Sequence, residues 1–330
     1  MCLLSQCLSS LYSLITPTTI LLSVLPVYAL IIGGAVLRKV GILKPSYDAW
    51  ILRIIFWVMA PCFILDRMLG AEILRNYYTL GIGIGLGFAL IIAGILVGYL
   101  VGKAIGLEHG NGMRTFALAA GCQNYGYTAV PVVQILWSGS ALAVLFVHNI
   151  GVEIAIWSFG VMLLSGDRMI KWKRMINGPI IAVIIGLILV MLRVDDQVTG
   201  SFRSVISIIG IGAFPIALVM TGAAMMDLVG TEKPSWKIIL GSILVRMLLV
   251  PIIIIASAKF IPMPVELKQV LVVQAAMPAA MVPILLAKIY GGRPAVAVQI
   301  VIATTAVSIF SLPFIITYGM RFLNLTPITP

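Results

Sequence analysis

Long apolar stretches alternate along this chain with short loops that carry most of its charge. A membrane-crossing helix needs about 20 apolar residues. Ten stretches meet or approach that length: Thr19–Lys39, Trp50–Leu69, Tyr78–Ile105, Gly112–Trp137, Ala141–Leu164, Gly178–Leu192, Val205–Leu228, Trp236–Phe260, Glu266–Ile289 and Ala295–Tyr318. The sixth is short and is expected to begin nearer Met175. The pattern predicts an all-α polytopic membrane protein with ten transmembrane helices.

Two of these stretches contain residues a helix does not tolerate in its middle. The fourth holds Gly121-Cys-Gln-Asn-Tyr-Gly-Tyr-Thr-Ala-Val-Pro131, and the ninth holds Ala276-Met-Pro-Ala-Ala-Met-Val-Pro283. Proline removes an amide donor and clashes with the carbonyl one turn back. In a bilayer no water repairs that loss, so irregular backbone survives only against protein or a wet cavity. Helices 4 and 9 are therefore expected to be broken. Interrupted helices at matching places in two halves point to the binding site of a secondary transporter.

The halves also align on each other. Arg114 matches Glu266, Gly126 matches Pro278, Pro131 matches Pro283 and Gly139 matches Gly291 at an offset of 152, while Pro61 matches Pro215 at 154. Five helices per half is an odd number, so the second half starts from the opposite side and the repeats are inverted. The expected organisation is a first five-helix repeat over residues 1–165, a basic cytoplasmic loop over 166–177, and a second, inverted repeat over 178–330.

Composition agrees with the membrane reading: 61% of residues are hydrophobic and 10% charged, with mean hydropathy +1.15. Soluble domains are about 45–50% apolar and about 25% charged. The net charge of +11 sits in short loops and does not point to nucleic acid. With the N-terminus outside, the inside loops hold 13 of the 22 Lys and Arg residues and the outside segments 7. That bias places both termini on the non-cytoplasmic side of the cell (inner) membrane. The cluster Arg168–Arg174 carries most of it and reads as a topology anchor. The first stretch lacks the basic lead of a signal peptide and is taken as a true membrane helix. Cys2, Cys7, Cys62 and Cys122 have no metal or redox spacing, and no metal or cofactor is expected. Four-residue glycine spacings in the third stretch, Gly83/Gly87 and Gly94/Gly98/Gly102, read as close helix packing.

Candidate chemistry gathers at the breaks. The restarted half-helices expose first amides and a positive dipole end, which bind anions without a charged side chain. The crossover residues are Gln123, Asn124, Tyr125, Gly126, Tyr127, Thr128 and Pro131 at the first break, and Gln274, Met277, Pro278 and Pro283 at the second. Ionisable groups at membrane depth are expensive and usually paired or functional. Glu153 and Arg246 share such a depth and form either an ion pair or, through Glu153 alone, a proton-loading site. His148, Asn149, Thr304, Thr305 and Ser308 add supporting polar groups. Asp66, Arg67 and Asp227 lie near helix ends, where snorkelling accounts for them.

The same residues carry a family likeness. Asn124-Tyr-Gly-Tyr-Thr-Ala-Val-Pro131 resembles the Asn-x-Gly-x-x-x-x-Pro break of the auxin efflux carrier family. His148-Asn149 with Trp157 and Gly160 resembles its fifth helix. The run from Met277-Pro278-Ala279-Ala280 through Ala287-Lys-Ile-Tyr-Gly291 to Ser308 and Ser311-Leu-Pro313 resembles its last two. The resemblance implies ten helices, outside termini, a crossover of helices 4 and 9, a homodimer, and transport of small organic anions such as dicarboxylates or indole acids. The long hydrophilic central loop of the plant carriers is absent, since only Ser165–Met175 separates the halves, which points to the compact bacterial permease type. Glu153 matches no family motif.

Two other readings stay open. One is a proton- or sodium-coupled symporter or antiporter of the same fold. The other is a sensor that moves nothing. An intramembrane enzyme is disfavoured, because there is no HExxH, no paired-aspartate motif and no Ser/His couple beside the only histidines, His109 and His148.

Overall fold

The computed structural model describes residues 16–137, 139–166, 177–230 and 233–326. Cys2, Cys7 and the basic cluster Arg168–Arg174 lie outside the described residues, as does the expected early start of the sixth helix near Met175. Among the described residues the chain is helical, with no strand and a single isolated antiparallel bridge, Gln123 with Ala279.

Among the described residues seven helices are long and apolar enough to cross a membrane: α1 (Pro17–Lys39), α2 (Pro45–Met68), α3 (Tyr77–Ala104), α6 (Gly139–Ser165), α8 (Gly200–Leu228), α9 (Trp236–Phe260) and α12 (Pro294–Leu323). Five shorter helices complete the set: α4 (Met113–Gly121), α5 (Ala129–Leu136), α7 (Gly178–Met191), α10 (Val265–Ala276) and α11 (Val282–Ile289).

Side-chain caps start several of them. Thr16 accepts from the Thr19 amide at the head of α1, Asn76 from Tyr78 and Thr79 at α3, and Asn177 from Ile180 at α7. Each cap satisfies an amide that has no partner within the first turn. Proline shapes others. Pro131 is the third residue of α5 and Pro283 the second of α11. In a first turn the missing N–H is not needed. The non-helical backbone lies in the turn before each proline, where a helix would drive the ring into a carbonyl. Met277, just before Pro278, is extended (φ −69°, ψ 140°), as a residue preceding proline prefers, and α10 ends there. Wider π turns interrupt α2 at Ile55–Met59, α6 at Ile156–Gly160 and α9 at Val245–Leu249.

The helices pack as two groups that also meet along α1–α12 and α2–α6. In one, α3 lies on α4 and α6, α9 on α10 and α12, α10 on α6, and α12 on α4. In the other, α1 packs on α8, and α2 on α7 and α8. Backbones touch where glycines remove the side chain. A Cβ on Gly34 or Gly222 would overlap the Val219 or Ile31 carbonyl across the α1–α8 contact, and Gly94 of α3 lies directly on Gly121 of α4.

Three acidic or basic residues attributed to snorkelling take part in specific contacts instead. Arg38 bonds Asp48 at 2.6 Å and Asp227 at 3.3 Å, joining α1, α2 and α8. Asp66 accepts from Arg203 Nε and Ser207 Oγ, both at 3.2 Å. Arg67 lies 3.7 Å from Asp66 and rests on the Phe63 ring. For Asp66 and Asp227 a partner on a neighbouring helix replaces the solvation that snorkelling would supply, whereas the contacts of Arg67 lie on its own helix. A further pair, Arg75 with the fully buried Asp195 carboxylate, ties the α2–α3 turn to the α7–α8 turn.

Candidate functional site

Between α4 and α5 the chain runs extended from Cys122, and between α10 and α11 it runs extended from Met277. The two stretches meet. Asn124 N donates to Pro278 O at 2.7 Å, and Ala280 N donates to Cys122 O at 2.9 Å. These bonds flank Gln123 and Ala279, which face each other as an antiparallel, non-hydrogen-bonded pair. Each stretch thus satisfies backbone groups that the other leaves open, and both are buried.

Neighbouring side chains hold the rest of the irregular backbone. Ala279 N donates to Thr304 Oγ1 at 3.1 Å, and that hydroxyl donates to Ile300 O at 2.7 Å. Asn149 Nδ2 donates to Tyr125 O at 3.0 Å; Gln274 Nε2 approaches the same carbonyl at 3.4 Å and Asn149 Oδ1 at 3.3 Å. Asn124 Nδ2 donates to Thr128 Oγ1 at 3.0 Å. Tyr28 of α1 donates to Ser308 of α12 at 3.1 Å. Gln123 is buried, and its Nε2 has no partner among the described residues.

A cavity of about 280 Å³ opens beside the crossing. The crossing side contributes Asn124, Tyr125, Gly126, Tyr127, Val130, Phe146, Asn149, Ile150, Glu153, Trp157, Ala280, Met281, Val282 and Leu285. The opposite wall comes from α2, α7 and α8, through Ile55, Phe56, Ala60, Ile64, Asn177, Pro179, Ile180, Val183, Ala213, Phe214 and Ala217. The cavity therefore lies between the two helix groups. Tyr127 meets Phe56 edge-on across it, with centroids 6.0 Å apart. The first turns of α5 and α11 both border it. A smaller void on the other side of the crossing is lined by Tyr28, Asn124, Thr128, Pro278 and Thr305.

Glu153 is the one ionisable carboxylate on this cavity wall, and among the lining residues no Lys, Arg or His accompanies it. Tyr125 OH donates to Oε1 at 2.6 Å and Trp157 Nε1 to Oε2 at 2.8 Å. The expected Glu153–Arg246 ion pair is not formed. Arg246 is fully buried on the far side of the first break, where Nη1 lies 3.4 Å from Gly121 O. A shared depth along two helices does not set their azimuth: Arg246 turns to the carbonyl end of α4, while Glu153 turns to the cavity.

The other expected residues divide. Asn149 lines the cavity. His148 is buried where α6 meets Gly83 and Gly87 of α3, and it does not line the cavity. Thr304 and Ser308 hold backbone and Tyr28, and Met277 is buried at the end of α10. Cys122 is a buried free thiol and Cys62 a half-buried one. Phe56, Phe146, Asn177 and Phe214 were not anticipated as wall residues. Asn177 alone had a legible signal, since Asn-Gly-Pro is a helix start; the aromatics look like any membrane-helix residue in one dimension.

Residues 162–316 match a protein family described as membrane transport protein. The matched span takes in α7 through α11, the second extended stretch and most of α12. No curated protein matches the chain.

Proposed function

We propose that the chain belongs to the membrane transport family that its residues 162–316 match, and that it is a secondary carrier for small organic anions, working by alternating access around the crossing. This is the family grouping to which the auxin efflux likeness of the sequence also leads. On this reading α4 with α5, and α10 with α11, are two single crossings, each broken in the middle. They bring the total to ten crossings in two inverted repeats, over 1–165 and 178–330, with the basic loop between them in the cytoplasm. Packing supports the repeat. The contact of α3 with α6 recurs as α9 with α12, α3 with α4 as α9 with α10, α6 with α10 as α12 with α4, and α2 with α7 as α8 with α1. The reading carries both termini to the outside of the cytoplasmic membrane, and with the family likeness a homodimer.

One observation carries the anion site: the first turns of α5 and α11 open on the same cavity. The positive dipole ends of the two helices attract a carboxylate there. The aromatic walls, Phe56, Tyr127, Phe146, Trp157 and Phe214, favour a carboxylate with an apolar body over a compact dicarboxylate. Glu153 favours proton coupling over sodium coupling. An anion placed beside an ionised carboxylate is repelled, so the anion and a proton on Glu153 enter together. The cavity lies between the helix group holding the crossing and the group of α1, α2, α7 and α8. Sliding or rocking of one group against the other exposes it to either side.

Thermal unfolding of the purified protein against a panel of carboxylates, including malate and indole acetate, tests this. A binding carboxylate at about 100 times its Kd stabilises by about 2.7 kcal/mol and raises the wild-type midpoint. Asn124→Ala, which loses the Thr128 hydrogen bond at the crossing, shows little or no rise. A panel in which no carboxylate shifts the wild type contradicts the carrier and favours the sensor.

A further inference from the structure

Arg246 is fully buried in α9, and no acidic side chain lies within 4.0 Å of it among the described residues. Its Nη1 approaches Gly121 O at 3.4 Å, while Nε and Nη2 have no hydrogen-bond partner there. An arginine kept for structure alone normally has its fork of donors matched. Here a charge is held at depth by little hydrogen bonding, so the question is what balances it.

The answer lies at the end of α4. That helix stops at Gly121 because the chain turns extended at Cys122 (φ −95°, ψ 118°). The last carbonyls of a helix have no amide ahead of them and carry the negative end of its dipole. Leu118 O is taken by Cys122 N, and Gly121 O lies within hydrogen-bond reach of the guanidinium. Arg246 is fully buried in the protein beside these groups. The π turn Val245–Leu249, which Pro251 follows, sets Arg246 in the irregular part of α9; Pro251 has no amide to offer the carbonyl four residues back. The guanidinium and the carbonyl end of α4 are thus each left open by their own helix and meet one another. Carriers with broken helices place a coupling cation at such carbonyl ends.

We propose that Arg246 is a tethered cation in that place. It neutralises the carbonyl end of the first break permanently, and the carrier therefore requires no alkali cation. This rests on the carrier reading for its consequence in transport, but its binding consequence stands by itself. What is needed at the site is a monovalent positive charge and not the hydrogen-bond geometry of one side chain. A small free cation that enters the hole left by truncation restores the break.

The test uses the full chain in detergent, with Arg246→Ala and Arg246→Lys beside wild type. Thermal midpoints are measured in choline chloride, in sodium chloride, and in choline chloride with millimolar guanidinium. Wild type and Arg246→Lys are expected to be indifferent to the three media. Arg246→Ala is expected to melt lower and to recover saturably with guanidinium. An Arg246→Ala midpoint equal to wild type, or one that guanidinium does not raise, overturns the proposal. If Arg246→Ala cannot be purified folded, Arg246→Lys and Arg246→Met decide: the charged variant folding and the apolar one not supports the proposal, and equal folding overturns it. In liposomes, wild-type carboxylate uptake is expected to be the same in sodium as in choline, and a sodium requirement overturns the tethered-cation reading. Absence of any uptake, with guanidinium rescue intact, counts against the carrier function and leaves the cation site standing.

Discussion

Gly94→Val yields little folded protein. A Cβ at Gly94 would lie 3.1 Å from the carbonyl carbon of Gly121 and closer still to its oxygen. The obstruction is backbone, which cannot swing aside as a side-chain tip can. The contact is also reciprocal, since a Cβ on Gly121 would fall on Gly94 and Ile95. Relief requires α3 and α4 to separate, and that moves the carbonyl end beside the crossing. Overpacking costs about 1–3 kcal/mol where side chains yield, occasionally more; two facing backbones put this site at about 3 kcal/mol or above. Gly85→Val on the same helix is the control. It is exposed and has nothing within 4 Å of a built Cβ, so it should change stability by about 0.5 kcal/mol or less. Expression as a monodisperse, cooperatively melting protein separates the two. Equal behaviour of both variants would show that the α3–α4 contact does not govern stability.

Glu153→Gln removes the pH dependence of anion binding while leaving the cavity intact. Glutamine keeps an oxygen for Trp157 Nε1, and its amide faces Tyr125, whose hydroxyl accepts as well as donates. Charge is what changes. An anion about 5 Å from an ionised carboxylate, at an effective dielectric near 20, meets about 3 kcal/mol of repulsion, roughly two orders of magnitude in affinity. Wild-type affinity should fall as pH rises and Glu153 loses its proton. The glutamine variant should hold the acid-side affinity throughout. Carboxylate affinity measured across pH by calorimetry or thermal shift reads this directly. Wild-type affinity that ignores pH, or a variant that retains the dependence, removes Glu153 from the coupling role.

The two stretches of non-helical backbone could be read in the sequence because glycine and proline act locally. Pro278 forces Met277 into extended backbone, and Pro131 and Pro283 can sit only in the first turn of a new helix. The seven long helices were legible as counts of apolar residues, with ends displaced by up to five residues. The pairing of Glu153 was not. Tyr125 and Trp157 reach it from an irregular stretch and from the next turn of α6, and the spacing of residues fixes neither approach. Arg246 failed for a related reason: depth follows from position along a helix, whereas direction depends on the π turn that contains it. The aromatic wall of α2 and α8 stayed hidden, because Phe56 and Phe214 are indistinguishable in sequence from residues that face lipid. Asp66 and Asp227 looked like helix-end charges until their partners on other helices, Arg203 and Arg38, were in view.

The proposed anion site requires the two extended stretches to meet, and cysteine cross-linking measures that contact. Gln123 and Ala279 oppose each other as a non-hydrogen-bonded antiparallel pair. Their Cα atoms are then about 4.5 Å apart, inside the roughly 4.4–6.8 Å that a disulfide spans. With Cys2, Cys7, Cys62 and Cys122 replaced, Gln123→Cys combined with Ala279→Cys should lose both free thiols on mild oxidation in membranes. Mass spectrometry should find one intramolecular bridge that reductant reverses. Two thiols that stay open to alkylation after oxidation would mean that the stretches do not meet, and the shared anion site would fall with them.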